Sequence, residues 1–109
     1  METLSANQFP DGPRVPEMRE ALLDAANVRE LVGDLSQLTR ILSVQCKVNA
    51  RSQTPQATGV SLEHAAELLL NSEVQAIQVK YYHEQYEWTD TLMRLPQGIR
   101  MVRCRHEPE

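Results

Sequence analysis

Between Ser61 and Asn71 the apolar residues Leu62, Ala65, Ala66, Leu69 and Leu70 fall at offsets 0, 3, 4, 7 and 8. That is the spacing of one face of a helix. Ser61 is a good N-cap, because its hydroxyl accepts from a backbone N–H that the first turn leaves unpaired. Asn71 is placed to end the helix in a left-handed turn. Upstream, Met18, Ala21, Leu22 and Ala25, and then Val28, Leu31, Val32, Leu35 and Leu38, also follow helical spacing. The two stripes drift in phase on one unbroken helix. They predict a helical segment opened by Pro16, whose missing N–H costs nothing at a first helical position. Glu17 and Glu20 would favour its positive end. A break is expected near Asn27, which with Glu30 resembles a capping box.

The period changes after residue 40. Leu42, Val44, Cys46 and Val48 alternate with Ser43, Gln45 and Lys47, the pattern of a half-buried strand over 41–48. Residues 49–59, with Pro55 and Gly59, read as a polar loop. The last third threads as two hairpins. A turn at Glu84–Gln85 pairs Tyr82 with Glu87, Tyr81 with Trp88, Val79 with Asp90 and Ile77 with Leu92. A longer loop around Pro96 and Gly98 then pairs Leu92 with Arg100, Asp90 with Val102 and Trp88 with Cys104. On this threading one face collects Ile77, Val79, Tyr81, Trp88, Leu92, Val102 and Cys104. The other collects Gln78, Lys80, Tyr82, Glu87, Thr89, Thr91, Arg103 and Arg105, with Met93 and Met101 as untidy members. Side chains alternate with a period of two, so a slip of one residue swaps the faces of a whole strand.

The expected fold is therefore α+β. It is a two-layer sandwich in which an antiparallel sheet of about four strands, three of them a C-terminal meander, packs on two to three helices. One sheet face would stay open. Residues 1–15, with Pro10, Gly12 and Pro13, read as a flexible arm, and residues 16–109 as a single domain.

Composition adds limits. A chain of 109 residues fits one domain, and aromatics at 5% leave a mainly aliphatic core. The net charge of −4 argues against a general nucleic-acid or anionic-membrane binder. All of that charge lies in residues 1–75, and residues 76–109 are neutral overall. No apolar run is long enough for a membrane helix. The N-terminus lacks the regions of a signal peptide. A cytoplasmic setting with both cysteines reduced is the expectation.

Asp90 is the chemical anomaly, since it falls on the apolar face. A buried carboxylate needs a partner or a raised pKa. Arg100 lies diagonal to it on the same face, so a structural Asp90–Arg100 pair is the favoured account. No second acid, nucleophile or oxyanion donor accompanies Asp90, and no catalytic residue is assigned. Cys104 and His106 point to one side of a strand, and a metal reading would add Cys46 and His83 or His64. The spacing supplies one C-x-H and no partner motif, so no metal and no cofactor is assigned. His64 on its own reads as exposed and inert. No glycine-rich phosphate cradle is present.

What remains is surface. Lys80, Tyr82, Met93, Met101, Arg103 and Arg105 form the candidate binding surface. The favoured function is a small cytosolic binding or accessory module, without catalysis, that acts through contacts with a protein partner or with a second copy as a homodimer. One alternative is a nucleic-acid-binding regulator using the Arg/Lys/Tyr sheet face together with Arg100. Glu87 beside Tyr82 and the acidic total argue against it. The other alternative is a metal- or thiol-dependent protein centred on Cys104 and His106.

Overall fold

The computed structural model of the protein describes residues 18–48, 57–58 and 60–106. The expected arm at 1–15 lies outside the described residues, as does Pro16. In chain order the elements are β1 (Met18–Leu23), α1 (Ala25–Leu38), β2 (Arg40–Lys47), β3 (Ala57–Thr58), α2 (Leu62–Leu70), β4 (Ala76–His83), β5 (Tyr86–Leu95) and β6 (Gly98–His106). They form a mixed α+β fold with one antiparallel sheet and two helices. The strand order is β1-β6-β5-β4-β2-β3. Five strands have substantial length, and β3 is a two-residue addition at the β2 edge. The meander β4–β5–β6 fills the space between β2 and β1, so both strands that flank α1 in sequence end on opposite sides of it.

The segment from Met18 is a strand and not the start of a helix. Helical spacing at Met18, Ala21, Leu22 and Ala25 misled because an edge strand buries little. Ala21 is exposed and Leu22 is 56% exposed, so no alternation is imposed there. The helix begins one residue later, at a cap the sequence does carry. The Asp24 carboxylate accepts from the Asn27 N–H at 2.8 Å, and the Asn27 side chain accepts from the Asp24 N–H at 3.4 Å. Asn27 is thus the third residue of a capping box whose N-cap is Asp24, and α1 is unbroken.

Ser61 caps α2 as expected, accepting from the His64 N–H at 3.0 Å. Its end is a Schellman turn. The Ser72 N–H donates to Leu69 O and the Glu73 N–H to Leu68 O. The left-handed residue is Ser72, with φ 64°, and not Asn71. The two helices are tied by Arg29 to Glu67 at 3.1 Å.

Val28, Val32 and Leu35 of α1 and Leu62, Ala65, Ala66 and Leu69 of α2 are buried against Val44, Cys46, Ile77, Val79, Leu92, Ile99 and Met101 of the sheet. Fully burying one such aliphatic side chain stabilises the fold by about 1.5–3 kcal/mol. In β2 the alternation is interrupted by a bulge between Ile41 and Ser43. It turns Ile41 toward the core and leaves Leu42 45% exposed.

The β4–β5 register is the expected one throughout, from Ile77–Leu92 to Tyr82–Glu87. The β5–β6 register differs by one residue: Leu92 faces Met101, Asp90 faces Arg103 and Trp88 faces Arg105. The cause is loop parity. Leu95 pairs with Gly98, so the loop is Pro96–Gln97, two residues where the expected pairing implied three. Gly98 sits at φ 148°, and a Cβ there would lie 3.0 Å from Leu23 O. No other residue suits that position. The consequence is that β6 shows the opposite faces from those expected. Met101, Arg103 and Arg105 turn toward the helices, while Val102, Cys104 and His106 turn away.

Candidate functional site

Alternation in β5 sends Trp88, Asp90, Leu92 and Arg94 to the helix side. Asp90 is 0% exposed. Its Oδ1 accepts from the Tyr81 hydroxyl at 2.9 Å and from Arg103 Nε at 2.9 Å, and its Oδ2 accepts from Arg103 Nη2 at 2.8 Å. The arginine fork is bidentate, the arrangement that best repays burial of a charge. The Asp90 carboxylate, through hydrogen bonding first, raises the Arg103 pKa. Burial first, and the Asp90 charge second, push the Tyr81 hydroxyl well above the usual tyrosine range.

The expected pair with Arg100 is therefore replaced by one with Arg103, because β6 is turned by one residue. Arg100 lies on the other face and bonds Glu20 of β1. With both oxygens occupied and no solvent contact, Asp90 has no lone pair aimed at a substrate. The geometry gives it the work of holding β4, β5 and β6 together.

Around this pair the helix side carries an aromatic and cationic corner. The Tyr81 and Trp88 rings lie parallel within 5° with centroids 6.5 Å apart. The Trp88 indole N–H donates to His83 O at 3.2 Å. The Arg105 guanidinium sits 4.4 Å from the Tyr86 ring centroid and 6.0 Å from that of Trp88. Trp88 packs on the core, as expected. Arg103 and Arg105 belong to this corner and not to the face of Lys80 and Tyr82.

The opposite face has no described element over it. Cross-strand rows follow from the registers: Lys47–Ala76–Met93–Arg100–Leu22, then Gln45–Gln78–Thr91–Val102–Glu20, then Ser43–Lys80–Thr89–Cys104, then Arg40–Tyr82–Glu87–His106. Of the candidate surface residues, Lys80, Tyr82 and Met93 are brought together here, with Tyr82 44% and Met93 37% exposed. Met101 is not, being buried beneath the helices. Arg40 and Lys47 join them from β2, and sequence reasoning missed both. The alternation of 41–48 had placed Lys47 on the polar side. What was missing was the pairing of β2 with β4, which sets that side against Tyr82.

The cysteine and histidine candidates are separated. Cys46 is buried on the helix side, where desolvation raises its thiol pKa. Cys104 and His106 lie on the opposite face, and His106 Nε2 is 2.6 Å from Thr89 Oγ1. His83 is 3.7 Å from Glu84 at the hairpin turn, and His64 is exposed on α2. Among the described residues no three His, Cys, Asp or Glu side chains converge as metal ligands.

Charge is divided by layer. The helices and their N-caps carry Asp24, Glu30, Asp34, Glu63 and Glu67 against the single cation Arg29. The strands carry eight Lys or Arg residues against Glu20, Glu87 and Asp90. The total of −4 hides this division.

Comparison with known proteins finds no matching family, no matching curated protein and no matching solved structure.

Proposed function

We propose that the chain is a small binding module without catalytic chemistry of its own, and that it docks a protein partner on the open sheet face. The observation that carries this reading is the layout of that face. Its centre, Gln78, Thr91, Val102, Thr89 and Met93, is uncharged. Apart from Lys80, the charged groups stand around it: Arg40, Lys47, Glu87, and the Arg100–Glu20 pair. An uncharged middle within a polar rim is the anatomy of a protein interface. Tyr82 and Met93 supply the exposed aromatic and the adaptable thioether that such interfaces favour. Sequestration of Asp90 supports the non-catalytic part. A cytoplasmic setting fits two free cysteines held on opposite faces. Among the described residues no helix is long and apolar enough to cross a membrane.

The test is Tyr82→Ser combined with Met93→Ser. Immobilised wild-type protein should retain a defined partner from extract, identified by mass spectrometry, and the double variant should lose it. Melting temperature should stay within about 2 °C, because both residues lie outside the core. Equal retention by both proteins, or a matching fall in stability, would refute the reading.

A second reading has its own observation. The Arg105 guanidinium over the Tyr86 ring, with Trp88 beside it, offers a planar cationic surface for a nucleic-acid base. It moves the nucleic-acid alternative from the Lys80–Tyr82 face to the helix-side corner. Oligothymidine binding that weakens steeply with salt and is lost in Arg105→Ala would favour it.

A further inference from the structure

Among the described residues, three cations on the open face have no counter-charge. Arg40, Lys47 and Lys80 are exposed, and none of them has a carboxylate or hydrogen-bond partner among the described residues. Three arginines elsewhere are paired: Arg29 is neutralised by Glu67, Arg100 by Glu20 and Arg103 by Asp90. The unneutralised three are spread along the β2–β4 half of the face. Arg40 stands opposite Tyr82, Lys80 is two residues from Tyr82 along β4, and Lys47 closes the same side of the sheet opposite Ala76. Directly opposed residues on paired strands have Cβ atoms about 5 Å apart, so Arg40 can reach over the Tyr82 ring.

We propose that this β2–β4 half of the open face is a docking site for an acidic segment of a protein partner. The segment's carboxylates would lie over Arg40, Lys80 and Lys47, and its apolar side chains over Tyr82 and the bulged Leu42. The inference rests on the protein-docking reading of this face and names the chemistry of what docks. Charge complementarity is the argument for the occupant. A nucleic acid also carries negative charge, but Glu87 stands directly opposite Tyr82 on β5. A strand with a base stacked on Tyr82 would run its phosphate backbone past that carboxylate. An acidic peptide places its charges one at a time and can leave Glu87 uncovered. A second copy of this chain could offer its acidic helix layer, which would make a head-to-tail contact between unlike faces.

The experiment is a titration of the ¹⁵N-labelled full chain, followed by amide resonances, with three arms: a peptide of alternating Glu and Val, an oligothymidine of similar length, and dilution of the protein alone. The expected result is that the peptide moves resonances around Arg40, Lys80 and Tyr82 and that its affinity falls between ~50 and ~300 mM salt. Arg40→Glu with Lys80→Glu should weaken it at least about tenfold without lowering the melting temperature. The proposal is overturned if the peptide leaves those resonances still, if the oligonucleotide or self-association moves them at lower concentration, or if the double variant binds the peptide unchanged. Loss of the extract partner in the Tyr82 and Met93 variant while the peptide fails to bind would remove the acidic segment alone. The broader reading of the face would then survive.

Discussion

On the helix side of the sheet Asp90, Arg103 and Tyr81 satisfy one another. Asp90 takes both nitrogens that Arg103 offers and the Tyr81 hydroxyl as well. On the opposite face Lys80, Arg40 and Lys47 have no such partner among the described residues. The two faces belong to the same strands, so the difference is not one of secondary structure. It follows from cover. Under the helices a charge gains from a partner, because an unpaired one leaves water at a cost of several kcal/mol. Arg94, near the end of β5, meets this only in part, bonding Val74 O while its buried Nε has no hydrogen-bond partner among the described residues. In water a cation is comfortable alone and stays available. The helix side therefore holds the Asp90–Arg103–Tyr81 network, and on the function proposed above the open side is the one that binds.

The sharpest way to break this contrast is to remove Asp90. Asp90→Leu leaves Arg103 buried without its carboxylate and should cost about 3–5 kcal/mol in urea denaturation. Adding Arg103→Met and Tyr81→Phe should recover most of that loss, since an apolar trio of similar volume needs no pairing. A triple variant as unstable as the single one would mean the network does something other than satisfy itself.

A smaller effect is expected with pH. The Tyr81 pKa is raised above its ordinary value of 10.0. The folded state therefore keeps this proton after the unfolded chain has released it. Its contribution is complete below pH 10 and fades as pH climbs from there toward the raised value. Wild-type stability should fall by up to about 1.4 kcal/mol per pH unit above 10 on account of this group. Tyr81→Phe should be less stable at neutral pH, by about 1 kcal/mol for the lost hydrogen bond, yet should show a shallower decline above pH 10. Parallel declines would remove the coupling.

The smallest effect is at the β4–β5 turn. Glu84 and Gln85 occupy φ 53° and 74°, a conformation that favours Asn-Gly. Glu84→Asn with Gln85→Gly should stabilise the protein by about 1 kcal/mol, with no effect on partner retention. Destabilisation would show that the turn is not of this type.

Much of the fold was legible in the chain. Five apolar positions over Leu62–Leu70 gave α2 and Ser61 gave its cap. The alternation of Ile77, Val79 and Tyr81 with Gln78, Lys80 and Tyr82 gave the register of β4 on β5. The parts that were not legible have local causes. β1 sits at an edge where neither face is firmly buried, so its few apolar residues also fit a helix. The slip in β6 came from one loop residue, since Val102 and Cys104 look as apolar as Met101 while Arg103 looks like solvent. Nothing in composition says that an arginine is the inward residue. Only the carboxylate already placed opposite, Asp90, carries that information. The candidate surface was split for the same reason: Lys80, Tyr82 and Met93 stayed together, while Met101, Arg103 and Arg105 moved to the far side.

Which arginine holds Asp90 decides which face is which, and one pair of denaturation curves measures it. Arg103→Met should lose about 3–5 kcal/mol. Arg100→Met, which gives up only the exposed contact with Glu20, should lose less than about 1 kcal/mol. The reverse order would place Arg100 against Asp90, turn β6 over, and contradict the assignment of the two faces.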